Sequence, residues 1–263
     1  MAVTLMEKVR KGRGVPSAAL ALIGRRLPIK TRGAAVLCYH DIGNDAANTT
    51  DYYLSPDRFR AQLEGIRTWG FTFVPFAEIV DRLLAGRDLD GLVAVTFDDG
   101  LVGVRDAAAP ILAALGIPAT IFVVTDVLGI DPPFWPGAAR TLTANELQAL
   151  TEGGLIRLGS HTCTHASLPE VASDVRTREL HDSRDALTAL CGAPTDLLAY
   201  PSGHHDAQTE GAAAAAGYRA ACTFSFGRVT PTTDPYAIPR FCMHAGQTPL
   251  SLARLLARRP ADW

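Results

Sequence analysis

The 263-residue sequence lacks the features that mark several broad classes of protein. Its formal net charge is only −2, which gives no argument for nucleic-acid binding. No apolar run approaches the roughly 20 residues that are needed to span a bilayer. The five cysteines form an odd set without a CxxC pair, which indicates reduced thiols and not a disulfide framework. Internal repeats and Pro/Ser-rich linkers are also missing, so we expect a single globular domain.

The first 32 residues differ from the rest in charge, because they carry eight Lys and Arg residues against Glu7 alone. The apolar stretch 15–24 is interrupted by Pro16 and closed by Arg25 and Arg26, and no A-x-A cleavage pattern follows. This argues against a signal peptide. We predict a basic extension over 1–32, either a solvated helix or a peripheral contact with an anionic membrane. The protein is expected to be cytoplasmic or peripheral to the inner membrane face.

Short β-like runs alternate with amphipathic helical stretches through most of the chain. The predicted strands are 35–39, 71–74, 92–97, 119–124, 155–159, 196–200 and 218–223. The predicted helices are 56–69, 76–85, 103–115, 143–152, 173–191 and 206–216. Strands that alternate with helices indicate βαβ crossovers and a parallel sheet. We therefore predict an α/β fold with about seven parallel strands, arranged as a barrel or a nearly closed sheet.

Polar residues follow several predicted strands, where functional groups collect in parallel folds. Asp98 and Asp99 end the strand 92–97 in VTFDDG, and His161 and His165 follow a later strand in SHTCTH. Each motif also has a simpler interpretation, since Asp-Gly is a common turn dipeptide and many helices carry a surface histidine pair. On a helix or a tight turn, residues four apart share a face, so both imidazoles can reach one cation.

Two histidines and one aspartate form a three-ligand set that leaves a coordination position open, which is typical of a catalytic metal. Only one of the adjacent carboxylates, Asp98 or Asp99, can comfortably ligate the metal. The other is left near the bound water, where it can take a proton. The cation also offsets the repulsion between the two carboxylates.

TFDDG, followed some sixty residues later by SHTCTH, resembles the first two motifs of the polysaccharide deacetylases, carbohydrate esterase family 4. The resemblance runs from about residue 33 to about residue 245. It implies a distorted (β/α) barrel over 33–263 that removes N- or O-acetyl groups from sugars with a divalent metal. Zinc is the expected metal, with cobalt, nickel and manganese as alternatives. By position, Asp98 is then the general base, and the metal ligands are Asp99, His161 and His165.

AYPSG resembles the third motif of the family, which shapes the groove and lends a backbone N–H to the oxyanion. The match implies that Tyr200, Pro201 and Ser202 line the site, with the Ser202 N–H as the expected donor. The arginine that usually opens this motif, and holds the base, is replaced by Ala199. Arg240 in AIPRF is the candidate substitute, because a planar cation can fix a carboxylate. A surface arginine after a proline is the alternative interpretation of Arg240.

The usual C-terminal leucine–histidine motif is missing, since 250–263 contains no histidine. Some family members look circularly permuted, with the corresponding strand at the front, and LCYHDI fits that pattern. The resemblance then implies that His40 is the general acid that protonates the leaving amine and that Asp41 orients it. A neutral core histidine is the alternative for His40, and His244 is the reserve acid.

Three hypotheses on function follow from the sequence. The leading one is a metal-dependent deacetylase that acts on an N-acetylated sugar or glycan, or on a lipid-linked saccharide. The second is an amidase that acts on a non-sugar C–N bond, since the same barrel resembles some amide hydrolases. The third is a catalytically silent barrel that only binds glycans, which the missing arginine keeps open. The sequence predicts no oligomeric state.

Overall fold

The structure is a computed structural model that describes residues 31–43 and 51–257. Most of the predicted basic extension lies outside the described residues. The strands are β1 Ala35–Tyr39, β2 Asp41–Ile42, β3 Tyr53–Leu54, β4 Thr72–Phe73, β5 Leu92–Phe97, β6 Ala119–Val123, β7 Ile156–Ser160, β8 Leu197–Ala199, β9 Ala220–Cys222 and β10 Phe241–Cys242. The α-helices are α1 Pro56–Thr68, α2 Phe76–Leu84, α3 Ala109–Leu115, α4 Ala144–Thr151, α5 Ser173–Cys191, α6 Ala207–Ala215 and α7 Pro249–Leu256.

The main sheet is built from parallel strands in the order β10-β1-β5-β6-β7-β8-β9, and β4 also pairs with the start of β5. The seven ordered strands curl into a half-barrel with helices packed around it. The predicted α/β barrel of about seven parallel strands is therefore confirmed. A separate two-stranded pair, β2 with β3, lies beside it. Among the described residues, no helix combines the length and the apolar character needed to cross a bilayer.

All seven predicted strands are present with bounds shifted by at most two residues, whereas the two-residue strands β2, β3 and β10 and the helix α7 were not predicted. The predicted helix 103–115 is divided. It begins with a π-helical turn, Val104–Ala108, in which the Ala109 N–H donates to the Val104 carbonyl, five residues back. Pro110 follows directly and has no N–H to donate, which prevents a regular ladder at this point.

Alternation along the strands divides the core into two faces. Val93, Val95 and Phe97 of β5 pack into one large apolar cluster together with residues of α1, α3 and α7. The intervening Thr96 lies on the other face of the sheet, in register with Cys38 of β1. Since the pattern continues past the strand ends, Asp98 and His40 emerge on that second face, at the carboxyl edge of the sheet. Ligand atoms of Cys38, His40 and Asp98 accordingly lie within 4.8 Å of one another.

Candidate active site

Asp98 and Arg240 form a two-point ion pair at the carboxyl end of β5. Arg240 Nη1 donates to Asp98 Oδ1 at 2.7 Å, and Nη2 donates to Oδ2 at 2.7 Å. Both side chains are fully buried. Arg240 Nε also donates to the Thr223 carbonyl at 3.1 Å, and the guanidinium lies over the rings of Phe122 and Phe224. The contact that the sequence suggested for Arg240 is present, and the alternative of a surface arginine is wrong.

Asp98 stays ionised although it is buried. Burial opposes its charge, but the pKa falls well below its usual range because the charge of Arg240 outweighs that penalty. The Cys38 thiol makes a further contact with Asp98 Oδ2 at 3.4 Å. The site therefore holds a fixed carboxylate, with its orientation set by the fork of the guanidinium.

Three side chains converge beside this ion pair in the arrangement that the sequence suggested for a metal. Asp99 Oδ1 lies 3.5 Å from His161 Nε2 and 3.6 Å from His165 Nε2. Each residue offers one ligand atom, and the three atoms lie within 4.8 Å of one another. The structure thus brings together Asp99, His161 and His165, with the neighbouring Asp98 turned toward Arg240.

Each histidine is oriented by a contact on the side away from Asp99. His161 Nδ1 lies 2.7 Å from the Ala199 carbonyl, so this nitrogen carries the proton and Nε2 presents its lone pair to the site. The His165 ring stacks on Phe134, with centroids 4.1 Å apart and an interplanar angle of 11°. Burial lowers the pKa of His161, and it lowers that of His165 to about 3, so both imidazoles are neutral, as metal ligands must be.

The environment of Asp99 fits a cation. Its side chain is 4% exposed, and its Oδ1 has no hydrogen-bond partner among the described residues. Burial and the nearby charge of Asp98 raise its pKa well above the usual range, because a second carboxylate ionises there against repulsion. A divalent cation on Asp99, His161 and His165 would satisfy the orphaned oxygen and remove that penalty. The donor set of two imidazoles and one carboxylate suits zinc or a similar metal.

The loop between the two histidines is not helical. His161 follows β7, and the backbone is left-handed at Thr162 and at His165, with φ of 68° and 67°. Asp99 is also left-handed, with φ of 68°. Of the two geometries proposed for the histidine spacing, the tight turn is therefore the one observed. Left-handed non-glycine residues are uncommon, and they cluster where function requires a particular side-chain direction.

His40 lies at the end of β1 in an aromatic pocket. Its ring contacts Tyr52, Trp135 and Phe224 at centroid distances of 4.6, 5.5 and 5.9 Å. Burial lowers the pKa of His40 to about 4, although the charge of Asp98 opposes this shift. The ring is therefore neutral near pH 7. His244, the reserve acid, lies in an exposed turn after β10.

Asp41, which was expected to orient His40, makes no hydrogen bond to His40 Nδ1. His40 Nδ1 is buried without a hydrogen-bond partner among the described residues. Asp41 instead packs closely on Gly103, where the Cβ of any other residue would clash with Asp41 Oδ1. The two residues line a cavity of about 370 Å³ beside β2, together with Tyr53 and Val102. The reason is local: Asp41 begins β2, and strand alternation turns its side chain away from that of His40.

The third motif forms a tight turn after β8. Tyr200 and Pro201 are buried, and Ser202 is exposed with a left-handed φ of 54°. The Tyr200 N–H donates to the Cys222 carbonyl. The Gly203 N–H donates to the Tyr200 carbonyl, and the His204 N–H donates to the Pro201 carbonyl. Within the turn 200–204, this leaves the Ser202 N–H as the donor available to a substrate oxygen.

Several residues of the site were not predicted from the sequence. Glu179 of α5 accepts three hydrogen bonds from the loop between the histidines. Phe134 and Trp135 supply aromatic surface against His165 and His40. Trp135 lies in PPFW, a proline-flanked aromatic pair between two elements, and such a pair in a long connection was a usable signal. The Ala199 carbonyl had none, because a backbone acceptor leaves no trace in residue type.

A parallel half-barrel with two histidines and an aspartate beside a buried, ionised carboxylate is the arrangement typical of a metal-dependent hydrolase. The sequence model of the family "Polysaccharide deacetylase" matches residues 85–221, which is just over half of the chain. The chain therefore belongs to the polysaccharide deacetylase family, and the resemblance drawn from its motifs is confirmed.

Solved structures and curated relatives agree with this placement. The chain is similar to the Streptococcus pyogenes deacetylase PplD in complex with acetate, with 26% identity, a TM-score of 0.74, and coverage of 87% of this chain and 99% of that one. It is also similar to IcaB from Ammonifex degensii, with 25% identity, a TM-score of 0.75 and the same coverage. Poly-beta-1,6-N-acetyl-D-glucosamine N-deacetylase from Staphylococcus epidermidis is 25% identical over 198 residues, 72% of this chain and 68% of the relative.

Proposed function

We propose that this protein is a metal-dependent N-deacetylase of an N-acetylated glycan. One observation carries the proposal: Asp99, His161 and His165 converge within 4.8 Å beside Asp98, a carboxylate that is held ionised in the interior. A chain that only bound glycans would have no use for a buried carboxylate beside a repelling one, since the arrangement costs folding free energy.

Asp99, His161 and His165 are the residues that would hold the cation. When bound, the cation supplies Lewis acidity and lowers the pKa of water at the site to roughly 7. Asp98 is the proposed general base, because its carboxylate is anionic and fixed by Arg240. Arg240 is a positioning residue, since it acts on the reaction only through Asp98. The Ser202 N–H is the proposed donor to the oxygen that gains charge as the amide is attacked.

His40 is the proposed general acid, which delivers a proton to the leaving nitrogen. A ring nitrogen of His40 lies within 4.8 Å of a carboxylate oxygen of Asp98. Because burial keeps the pKa of His40 at about 4, the ring must receive its proton during the reaction. Asp98 is the group placed to supply it, after taking it from water. The neutral resting state of His40 is thus compatible with the acid role.

Glucosamine-based polymers are the substrate class that we propose. Proteins named as poly-beta-1,6-N-acetyl-D-glucosamine N-deacetylases are among the relatives, and the aromatic faces of Phe134, Trp135 and Tyr52 at the site suit the apolar face of a sugar ring. A lipid-linked saccharide remains a second source of the same N-acetyl group. A cytoplasmic or membrane-peripheral location stays a prediction, and the basic residues on which it depends lie mostly outside the described residues.

The test is acetate release coupled to metal analysis. Purified protein, stripped with a chelator and reloaded with Zn²⁺, Co²⁺, Ni²⁺ or Mn²⁺, is assayed on oligomers of β-1,6-linked N-acetylglucosamine and on simple acetanilides. Metal-dependent acetate release from the oligomers is expected. Acetate release from the acetanilides alone would favour the non-sugar amidase. Full activity in His161→Ala would show that the proposed metal site is wrong.

A further inference from the structure

The loop that carries both histidines is held by one acidic side chain from helix α5. Glu179 Oε2 accepts hydrogen bonds from the N–H groups of Cys163 and Thr164 at 2.8 and 2.9 Å. Its Oε1 accepts a bond from Thr164 Oγ1 at 2.6 Å. Glu179 is 6% exposed, so these bonds are made away from bulk water. Acidic side chains are rarely buried unless their oxygens are satisfied, and here the loop satisfies them.

The loop needs such support because its backbone is strained. Thr162 and His165 are both left-handed, and Thr162 is β-branched, for which that conformation is a genuine outlier. Residues in sparsely populated backbone regions persist only when their surroundings fix them. The three bonds of Glu179 fall on Cys163 and Thr164, the two residues between the strained positions.

The same helix also fixes the start of the loop. Ser183 Oγ, one turn beyond Glu179, lies 2.8 Å from Ser160 Oγ at the end of β7. Ser160 Oγ in turn accepts a bond from the Thr162 N–H at 3.1 Å. Helix α5 therefore contacts both the start of the loop and its middle, where the Cys163 thiol also donates to the Glu179 carbonyl at 3.6 Å. The Glu179 carboxylate binds the two residues that lie midway between the histidines.

We propose that Glu179 is a positioning residue for the metal site, and this inference rests on the proposed function. By fixing Cys163 and Thr164, it holds the left-handed turn that directs Nε2 of His161 and of His165 at Asp99. Glu179 contacts neither a ligand atom nor the substrate. Without its carboxylate, the turn relaxes, the two imidazoles separate, and the affinity for the cation falls.

The test measures metal affinity in the full-length protein, by titrating metal-free samples with Zn²⁺ and with Co²⁺. Glu179→Ala is expected to bind about 10–100-fold more weakly, the usual effect of losing an outer-shell partner. Glu179→Gln should stay close to wild type, because its amide oxygen accepts both N–H donors and its amide nitrogen donates to Thr164 Oγ1. Asp182→Ala is the matched control, since it removes an exposed carboxylate from the same helix.

The visible spectrum of the Co²⁺-loaded protein gives a second readout. Co²⁺-saturated Glu179→Ala should show a changed absorption band, because its imidazoles are no longer held in place, whereas Asp182→Ala and Glu179→Gln should match wild type. Should Glu179→Ala fail to fold, Thr164→Val removes one of the three bonds and is expected to weaken binding to a smaller extent. Wild-type affinity in that variant would overturn the proposal.

Wild-type metal affinity in a folded Glu179→Ala would also overturn the proposal. The same holds if Glu179→Gln binds metal as weakly as Glu179→Ala. His161→Ala separates this inference from the proposed function. If His161→Ala binds metal as tightly as wild type, the proposed metal site is wrong. If it loses metal while Glu179→Ala does not, the site stands and only the role of Glu179 fails.

Discussion

Arg240 and Asp98 are 142 residues apart in the chain and share two parallel hydrogen bonds of 2.7 Å in the interior. Arg240 enters from the start of β10, whereas the position from which the family's usual arginine would come is occupied by Ala199. The Ala199 carbonyl instead orients His161. The guanidinium that holds Asp98, the proposed base, thus comes from a different strand, and it contacts the carboxylate at two points.

Replacing Arg240 by Met should destabilise the protein and slow deacetylation. The variant leaves an uncompensated carboxylate in the interior, which costs about 3–5 kcal/mol, and it frees Asp98 to rotate. The stability and the deacetylation rate of Arg240→Lys should lie between those of Arg240→Met and wild type, because lysine keeps the charge without the two-point contact. Urea unfolding and acetate release measure the two effects. Arg178→Met, on the exposed face of α5, is the control, and a stable, fully active Arg240→Met would show that Asp98 needs no partner.

Asparagine variants of the two adjacent carboxylates should fail in different ways. Asp98→Asn cannot accept a proton, so it should retain metal and lose roughly 10²–10⁴-fold in rate. Asp99→Asn removes a charged ligand and should lose both metal and rate. Bound metal and initial rate are measured on the same samples, at a temperature where both variants are folded. Loss of metal in Asp98→Asn alone would reverse the two roles.

His40→Gln should slow amide cleavage far more than the cleavage of an activated ester. An amine leaves poorly unless it is protonated, whereas the nitrophenolate of p-nitrophenyl acetate needs no proton, so only the first substrate requires the acid. The variant should retain its metal. Asp98→Asn is the comparison, because loss of the base slows both substrates. If His40→Gln lost equal factors in rate on the amide and on the ester, the proton donor would be another group, and His244 would be tested next.

His40 should also make the stability of the fold depend on pH. Its pKa falls from the ordinary 6.5 to about 4 on burial, so the unfolded state binds the proton more readily than the folded state does. The free energy of unfolding that depends on a neutral His40 is fully present above about pH 6.5, and it is lost as the pH falls toward 4. Between those values, wild type should lose up to about 3 kcal/mol relative to His40→Gln. The measurement is urea unfolding at several pH values.

The difference between the two proteins reports the titration of His40 together with its electrostatic coupling to His161 and His165, which are present in both. His181→Gln, which changes an exposed histidine of α5, is the matched control for the substitution itself. A wild-type minus His40→Gln difference that stays constant from pH 7 to pH 4 would show that the ring is not held neutral by burial.

The sheet and the convergence of Asp99, His161 and His165 could be predicted from the sequence, because both leave patterns in residue type. Buried parallel strands read as apolar runs, and DDG and HTCTH follow two of them. Strand β10 has only Phe241 and Cys242, too few residues for a periodicity, although it brings in Arg240. The partnership of Arg240 with Asp98 was reachable only as a hypothesis, because it depends on the pairing of β10 with β1.

The supporting contacts were out of reach for a different reason. Glu179 stands in RTRELHDSRD, where it resembles any charged residue on a helix surface, and only the packing of α5 against β7 turns it inward. Asp41 makes no hydrogen bond to His40 Nδ1, because adjacent residues at a strand end project in opposite directions. Strand alternation applied to the predicted strand 35–39 would have given this result.

The pairing of β1 with β10 has a practical consequence for anyone who trims this protein. The family match covers 85–221, and that span contains Asp98, Asp99, His161 and His165 while omitting both His40 and Arg240. A gene fragment cut to those limits would encode the ligands of the proposed metal site, yet it would lack His40, the proposed proton donor, and Arg240, whose guanidinium fixes Asp98. Expression libraries and inhibitor screens should therefore extend beyond that span on both sides, so that β1 with His40 and β10 with Arg240 are kept.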